Sequence, residues 1–155
     1  KGAYCLAASE IVGEKGRVYG VDLWEEGIEL LKAAADEKGI GNINAFVSNA
    51  GEHIPVADHS IDVCLMATVL HDFVEDQIEK EVLHEIVRVV KPNGILAIME
   101  FMKIDGPPGP PRHIRLSPEQ VEDMLTPFGF MQERIVDVGP YNYLMRVKIN
   151  PQEHY

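Results

Sequence analysis

With 155 residues, 46% of them apolar, the chain is long enough for one domain with a real core and too apolar to be a disordered segment. Fourteen basic residues against 25 acidic ones leave a formal charge of −11, which would repel a phosphate backbone unless the few cations shared one face, so nucleic-acid binding is disfavoured. No apolar run approaches the roughly 18 residues of a membrane helix and no signal-peptide pattern opens the chain, so the expectation is a cytoplasmic protein with no membrane span.

Residues Ala3 to Val12 place Leu6, Ala7 and Ile11 at helical spacing and stop at Gly13, which predicts a helix. Arg17-Val18-Tyr19-Gly20-Val21-Asp22 follows as a short strand ending in a carboxylate. The carboxyl end of a parallel strand is where open α/β sheets place a ribose-binding acid, which makes Asp22 a functional candidate; the alternative is that it caps the next helix. Trp24 to Lys38 is an amphipathic helix with Ile28, Leu31, Ala34 and Ala35 on one face, ending at Gly39. Asn42 to Val47 reads as a weaker strand that runs into the polar loop Ser48 to Glu52.

Ile61 to Ala67 is nearly continuous apolar sequence, as expected of a strand covered on both faces. Asp76 to Val90 repeats apolar residues at helical spacing until Pro92-Asn93-Gly94 forbids continuation, and Ile95 to Phe101 is the next buried strand. The run Gly106-Pro107-Pro108-Gly109-Pro110-Pro111 lacks the backbone donors of a helix or interior strand, so 103–116 is predicted as a surface loop. Ser117-Pro118-Glu119-Gln120 has the capping-box pattern with proline at the first helical position, predicting a helix from Pro118 to Phe128. Phe130 to Val138 and Tyr141 to Ile149 alternate about Gly139-Pro140 as an antiparallel hairpin, and 150–155 reads as a frayed tail.

The alternation of helix and strand gives an α/β, doubly wound, mostly parallel sheet closed by an antiparallel hairpin, as a single domain over 1–149. Such a plan places its central strand and glycine turn before the first helix, so the expectation is that this first strand lies upstream of Lys1 and that the domain is incomplete at its start. Cys5 and Cys64 stand in apolar surroundings at no metal-ligand spacing, which predicts buried free thiols and no metal site.

The residues resemble the class I S-adenosylmethionine-dependent methyltransferases, in particular the small-molecule group that includes the ubiquinone/menaquinone C-methyltransferases. The resemblance rests on Gly2, on Val12-Gly13 followed by Arg17 to Asp22, on Asn49-Ala50-Gly51-Glu52-His53-Ile54-Pro55-Val56, and on Ser60-Ile61-Asp62-Val63. Its most specific match is Leu83-His84-Glu85-Ile86-Val87-Arg88-Val89-Val90-Lys91-Pro92-Asn93-Gly94. One departure is Asn49, where the family usually has an acid.

That resemblance implies a Rossmann-like methyltransferase fold, S-adenosylmethionine as cofactor with S-adenosylhomocysteine as product, and a small-molecule methyl acceptor. It implies that Gly2 is the last glycine of the cofactor loop and that Asp22 accepts from both ribose hydroxyls. Leu23 and Trp24 would wall the adenine, Asn49 and Ala50 would meet its edge, and the Ala67 carbonyl would reach the cofactor's amino group. Thr68 to Phe73 would lead toward the acceptor, with His71 as the candidate catalytic base, and Arg112, His113 and Arg115 of the proline loop would contact the acceptor if that loop is a lid rather than a stiff connector. A nicotinamide dehydrogenase and a non-catalytic methyltransferase-like partner subunit stay open as alternatives, as does a homodimer as the assembly.

Overall fold

The helices and strands read from the sequence recur, with the corrections below, in the computed structural model, which describes residues 2–149; the expected tail at 150–155 lies outside the described residues. The chain divides at Pro55/Val56 into two compact units. Among the described residues, no helix is long and apolar enough to cross a membrane.

The first unit runs α1 (Ala3–Val12), β1 (Val18–Asp22), α2 (Glu25–Glu37) and β2 (Ile43–Val47). β1 and β2 are parallel, with Val18 opposite Ile43 and Asp22 opposite Val47. Ile28, Leu31 and Ala35 form the buried stripe of α2, as their spacing requires. Gly20 lets both helices close on β1, because a Cβ there would stand 3.1 Å from Cys5 Sγ and 3.2 Å from a Leu31 methyl. Asn42 Nδ2 donates to Ser9 O at 3.1 Å and Gly13 O at 2.9 Å, tying the end of α1 to the start of β2 and satisfying carbonyls that a helix end leaves open.

The second unit runs β3 (Ile61–Ala67), α3 (Leu70–Glu75), α4 (Glu79–Val89), β4 (Val90–Phe101), α5 (Pro118–Leu125), a 3-10 turn (Thr126–Phe128), β5 (Phe130–Val138) and β6 (Asn142–Ile149). Its sheet has the order β3-β4-β6-β5, with β3 and β4 parallel and β6 antiparallel to both of its neighbours. Leu96 and Ile98 of β4, Met145 and Val147 of β6, and Val82, Leu83 and Ile86 of α4 are buried in its core.

Three expectations need correction. The helix predicted over Asp76 to Val90 is the shorter α4, Glu79–Val89, because Gln77 has φ of 58° and delays its start, and a separate helix that was not expected, α3, precedes it. The six residues of α3 are too few to show a period, so the stretch from Leu70 reads in sequence as a connector. β4 begins at Val90 rather than Ile95: Val90 pairs with Ile61 and Ile95 with Val63, so Lys91 to Gly94 form an irregular bulge inside the strand instead of a turn before it. The helix predicted from Pro118 to Phe128 ends as α5 at Leu125 and tightens into the 3-10 turn.

Candidate functional site

Parallel pairing brings the carboxyl ends of β1 and β2 together, and Ser48 N donates to Asp22 O at 3.0 Å just beyond them. Asp22 does not cap α2; the N-cap is Trp24, with no side-chain bond. Instead Asp22 Oδ1 accepts from Trp24 N at 3.0 Å, which fixes the carboxylate, and the side chain stays exposed with Oδ2 unpartnered among the described residues. Leu23 and Trp24 beside it are apolar yet 63% and 45% exposed. The Trp24 ring lies back over Gly27, where no side chain would fit.

Asn49 follows β2 and folds into an Asx turn, its Oδ1 accepting from Gly51 N at 2.9 Å while its backbone carbonyl accepts from Glu52 N and His53 N. That oxygen keeps a second lone pair, and among the described residues the side-chain amide nitrogen is free to donate. Ala50, next to it, is half-buried. Gly2 caps α1 with φ of 79°, and a Cβ there would stand 2.7 Å from Leu31 Cδ1, so the position accepts only glycine. An open groove in this unit is lined by Ser9, Gly13, Arg17, Gly39 and Asn42, residues at the opposite strand ends from Asp22, away from where α/β sheets bind ligands.

In the second unit Ala67 ends β3 opposite Met99, and Thr68 N donates to Met99 O at 2.8 Å. Thr68 is a β-branched residue with φ of 55°, an uncommon conformation, and its hydroxyl donates to Ala67 O at 2.7 Å. The Ala67 carbonyl therefore already has one donor and keeps one lone pair.

His71 opens α3 and is only 6% exposed. Its backbone N donates to Glu100 Oε1 at 3.0 Å, and its Nδ1 lies 2.9 Å from Oε2 and 3.1 Å from Oε1 of the same carboxylate. Nε2 lies 3.4 Å from Asp72 Oδ1, and the ring meets Phe101 edge-on at 6.0 Å. Glu100 is completely buried, on the face of β4 that carries Leu96 and Ile98. Burial, then the charges of Glu100 and Glu119, push the Tyr143 phenol well above its usual range, and its hydroxyl donates to Leu116 O at 2.6 Å.

The proline loop is held from within. Arg115 is 2% exposed; Nε donates to Pro110 O at 2.8 Å, Nη1 to Met102 O at 3.2 Å, and Nη2 to Gly106 O at 2.5 Å and Pro108 O at 2.8 Å. This corrects the expectation for Arg115: it faces inward and clamps the loop rather than reaching an acceptor. Arg112 and His113 are exposed, with Arg112 3.7 Å from Asp105. Sequence reasoning missed Glu100; the available signal was a single acid on the buried face of an otherwise apolar strand.

Residues 1–98 match the model of a methyltransferase domain family. The chain belongs to that methyltransferase family. The ubiquinone/menaquinone biosynthesis C-methyltransferase of Haemophilus ducreyi is 33% identical over 103 residues, which cover 66% of this chain and 38% of the relative. The demethylmenaquinone methyltransferase of Geobacillus kaustophilus is 32% identical over 97 residues, 63% of this chain and 40% of that one. The chain thus spans about two fifths of the length of the curated relatives it matches. The crystal structure of a SAM-dependent methyltransferase from Aquifex aeolicus is similar with a TM-score of 0.87 at 32% identity, covering 96% of this chain and 77% of that chain. The Rossmann-like methyltransferase architecture expected from the sequence is therefore present. The family match carries Asp22, Asn49, Ala67 and His71, and stops short of Glu100 and the proline loop.

Proposed function

We propose that this chain transfers a methyl group from S-adenosylmethionine to a small-molecule acceptor. The observation that carries the reading is Asp22: a carboxylate fixed by Trp24 N at the carboxyl end of a parallel strand, with one oxygen left for a ligand, inside the methyltransferase match. The neighbouring groups fit a nucleoside. Asp22 Oδ2 can accept from a ribose hydroxyl, Leu23 and Trp24 offer exposed apolar surface for a purine, and the backbone at Gly2 carries no side chain to obstruct an approach. Asn49 fits a purine edge through the second lone pair of its amide oxygen, as the acceptor of an adenine amino group, with its amide nitrogen beside it as a donor. Ala50 would contribute its backbone N–H; separately, in the second unit, we assign the remaining lone pair of the Ala67 carbonyl to the cofactor's amino group.

S-adenosylmethionine, when bound, supplies a methyl group on a positively charged sulfur. The protein's own part is alignment, exclusion of water and, where the acceptor must lose a proton, a base. His71 is the group we assign to that last task. The two curated relatives named above belong to quinone biosynthesis by their names, which makes a small ring compound of that kind the first acceptor to assay. A cytoplasmic location agrees with two unpaired cysteines.

Calorimetry on the full-length protein tests the reading. S-adenosylhomocysteine should bind and NAD should not, and Asp22→Asn should weaken the former. Absence of S-adenosylhomocysteine binding, or NAD binding in its place, would refute the assignment and favour a non-catalytic partner or a dehydrogenase respectively.

A further inference from the structure

Glu100 lies beyond the family match and has so far been given no task. We propose that Glu100 is a positioning residue that holds the His71 ring with its proton on Nδ1, so that Nε2 carries the lone pair that takes a proton from the methyl acceptor; this rests on the methyl-transfer reading above.

The argument is one of donors and acceptors. An ionised carboxylate can only accept, so Nδ1, at 2.9 Å from Oε2, must be the ring nitrogen that donates, and in a neutral imidazole the proton is then absent from Nε2. The carboxylate is itself fixed: Oε1 accepts from His71 N at 3.0 Å and Oε2 faces Phe101 N at 3.4 Å. It thus grips both the backbone and the ring of one residue, while the edge of His71 against Phe101 limits rotation of the ring. Among the described residues the polar partner of Nε2 is Asp72 Oδ1, at 3.4 Å on a side chain that is 66% exposed, a weaker acceptor for the ring proton than the buried Glu100 at 2.9 Å.

In the proton step, the bond between the acceptor atom, or the hydroxyl conjugated to it, and hydrogen breaks. The proton goes to Nε2, and the electron pair it leaves is available for the new bond to the methyl carbon as that carbon's bond to sulfur breaks, the sulfur keeping the pair in the S-adenosylhomocysteine product. The ring then holds protons on both nitrogens, one facing Glu100 and one able to face Asp72, so that the positive charge forms between two carboxylates. A neutral imidazole of the other tautomer would present N–H to the acceptor and could not serve.

Glu100→Gln is nearly isosteric and gives a sharp outcome. His71 N can only donate, so it retains the amide oxygen; the amide NH2 then faces Nδ1, which must accept, and the ring proton moves to Nε2. A role confined to filling the core would leave the tautomer unchanged. The experiment is nitrogen NMR of isotope-labelled histidine in the full-length protein, with His71→Asn used to assign the signal. The wild type should show Nδ1–H with an unprotonated Nε2 at about pH 7.5, and Glu100→Gln the reverse, with S-adenosylhomocysteine affinity unchanged within about twofold. Should Glu100→Gln fail to fold, the wild-type signal alone decides, and Glu100→Asp, which keeps the charge, should retain Nδ1–H.

A wild-type ring protonated on Nε2 alone, or on both nitrogens, overturns the proposal, as does a Glu100→Gln tautomer identical to the wild type. Loss of S-adenosylhomocysteine binding in the wild type would instead remove the methyl-transfer reading and with it the proton acceptor's purpose, an outcome separable from the tautomer.

Discussion

The guanidinium carbon of Arg115 stands 5.6 Å from the centroid of the Phe101 ring, so the cation that clamps the proline loop also lies over the aromatic residue that braces His71. Gly109 completes the arrangement: it has φ of 95°, and a Cβ there would fall 2.7 Å from the same ring. The loop, Phe101 and the imidazole therefore form one continuous packed unit.

Arg115→Lys should loosen that unit. A single ammonium cannot follow the planar fork to four carbonyls, and carbonyls left without a donor in a buried setting are costly. We expect a loss of about 2–6 kcal/mol, from one or two charge-assisted bonds at about 1.5–3 kcal/mol each. Thermal unfolding and limited proteolysis over 103–116 check this. An unchanged melting temperature with the loop still protected would contradict the clamp.

Asp22→Asn separates ligand binding from stability. The side chain is exposed and makes one protein hydrogen bond, which the Asn oxygen can keep, so unfolding by urea should scarcely change. S-adenosylhomocysteine affinity should fall by roughly 10–100-fold, the value of charged hydrogen bonds to a ribose. Equal affinity in the two proteins would remove Asp22 from the site.

Burial pushes the Cys64 thiol up to about 11 from 9.0. The neutral form is the protonated one, so the folded state holds its proton to higher pH than the unfolded chain does. The stabilisation is complete below the unfolded value and is lost as pH rises from about 9 to 11. Cys64→Ala should flatten this part of the stability profile relative to wild type, as read by urea denaturation at stepped pH; parallel profiles would show that the thiol is not desolvated.

Ser117→Ala should cost about 1 kcal/mol, because Ser117 Oγ accepts from Gln120 N at 3.2 Å while Gln120 Oε1 accepts from Ser117 N at 2.9 Å. The Ser117→Ala, Gln120→Ala double substitution should cost less than the sum of the two single ones, since each partner's bond belongs to the same reciprocal box. Strict additivity in chemical denaturation would count against it.

What the sequence determined by itself is local. The glycine stops at Gly13 and Gly39, the capping box at Ser117 and the two-residue alternation of the final strands each act over a few positions, and the structure has helices and strands where they say. The pairing of an apolar strand with a terminal acid also marked Asp22. The tertiary structure decided what depends on distance along the chain: Glu100 and His71 are 29 residues apart and meet only because β4 lies beside β3, whose end delivers α3. Arg115 looked like a surface cation in a polar loop, and only the closure of that loop around its own carbonyls turned it inward. A sequence records which groups can donate and accept, but which donor meets which acceptor is fixed by the sheet and the loops that bring them together.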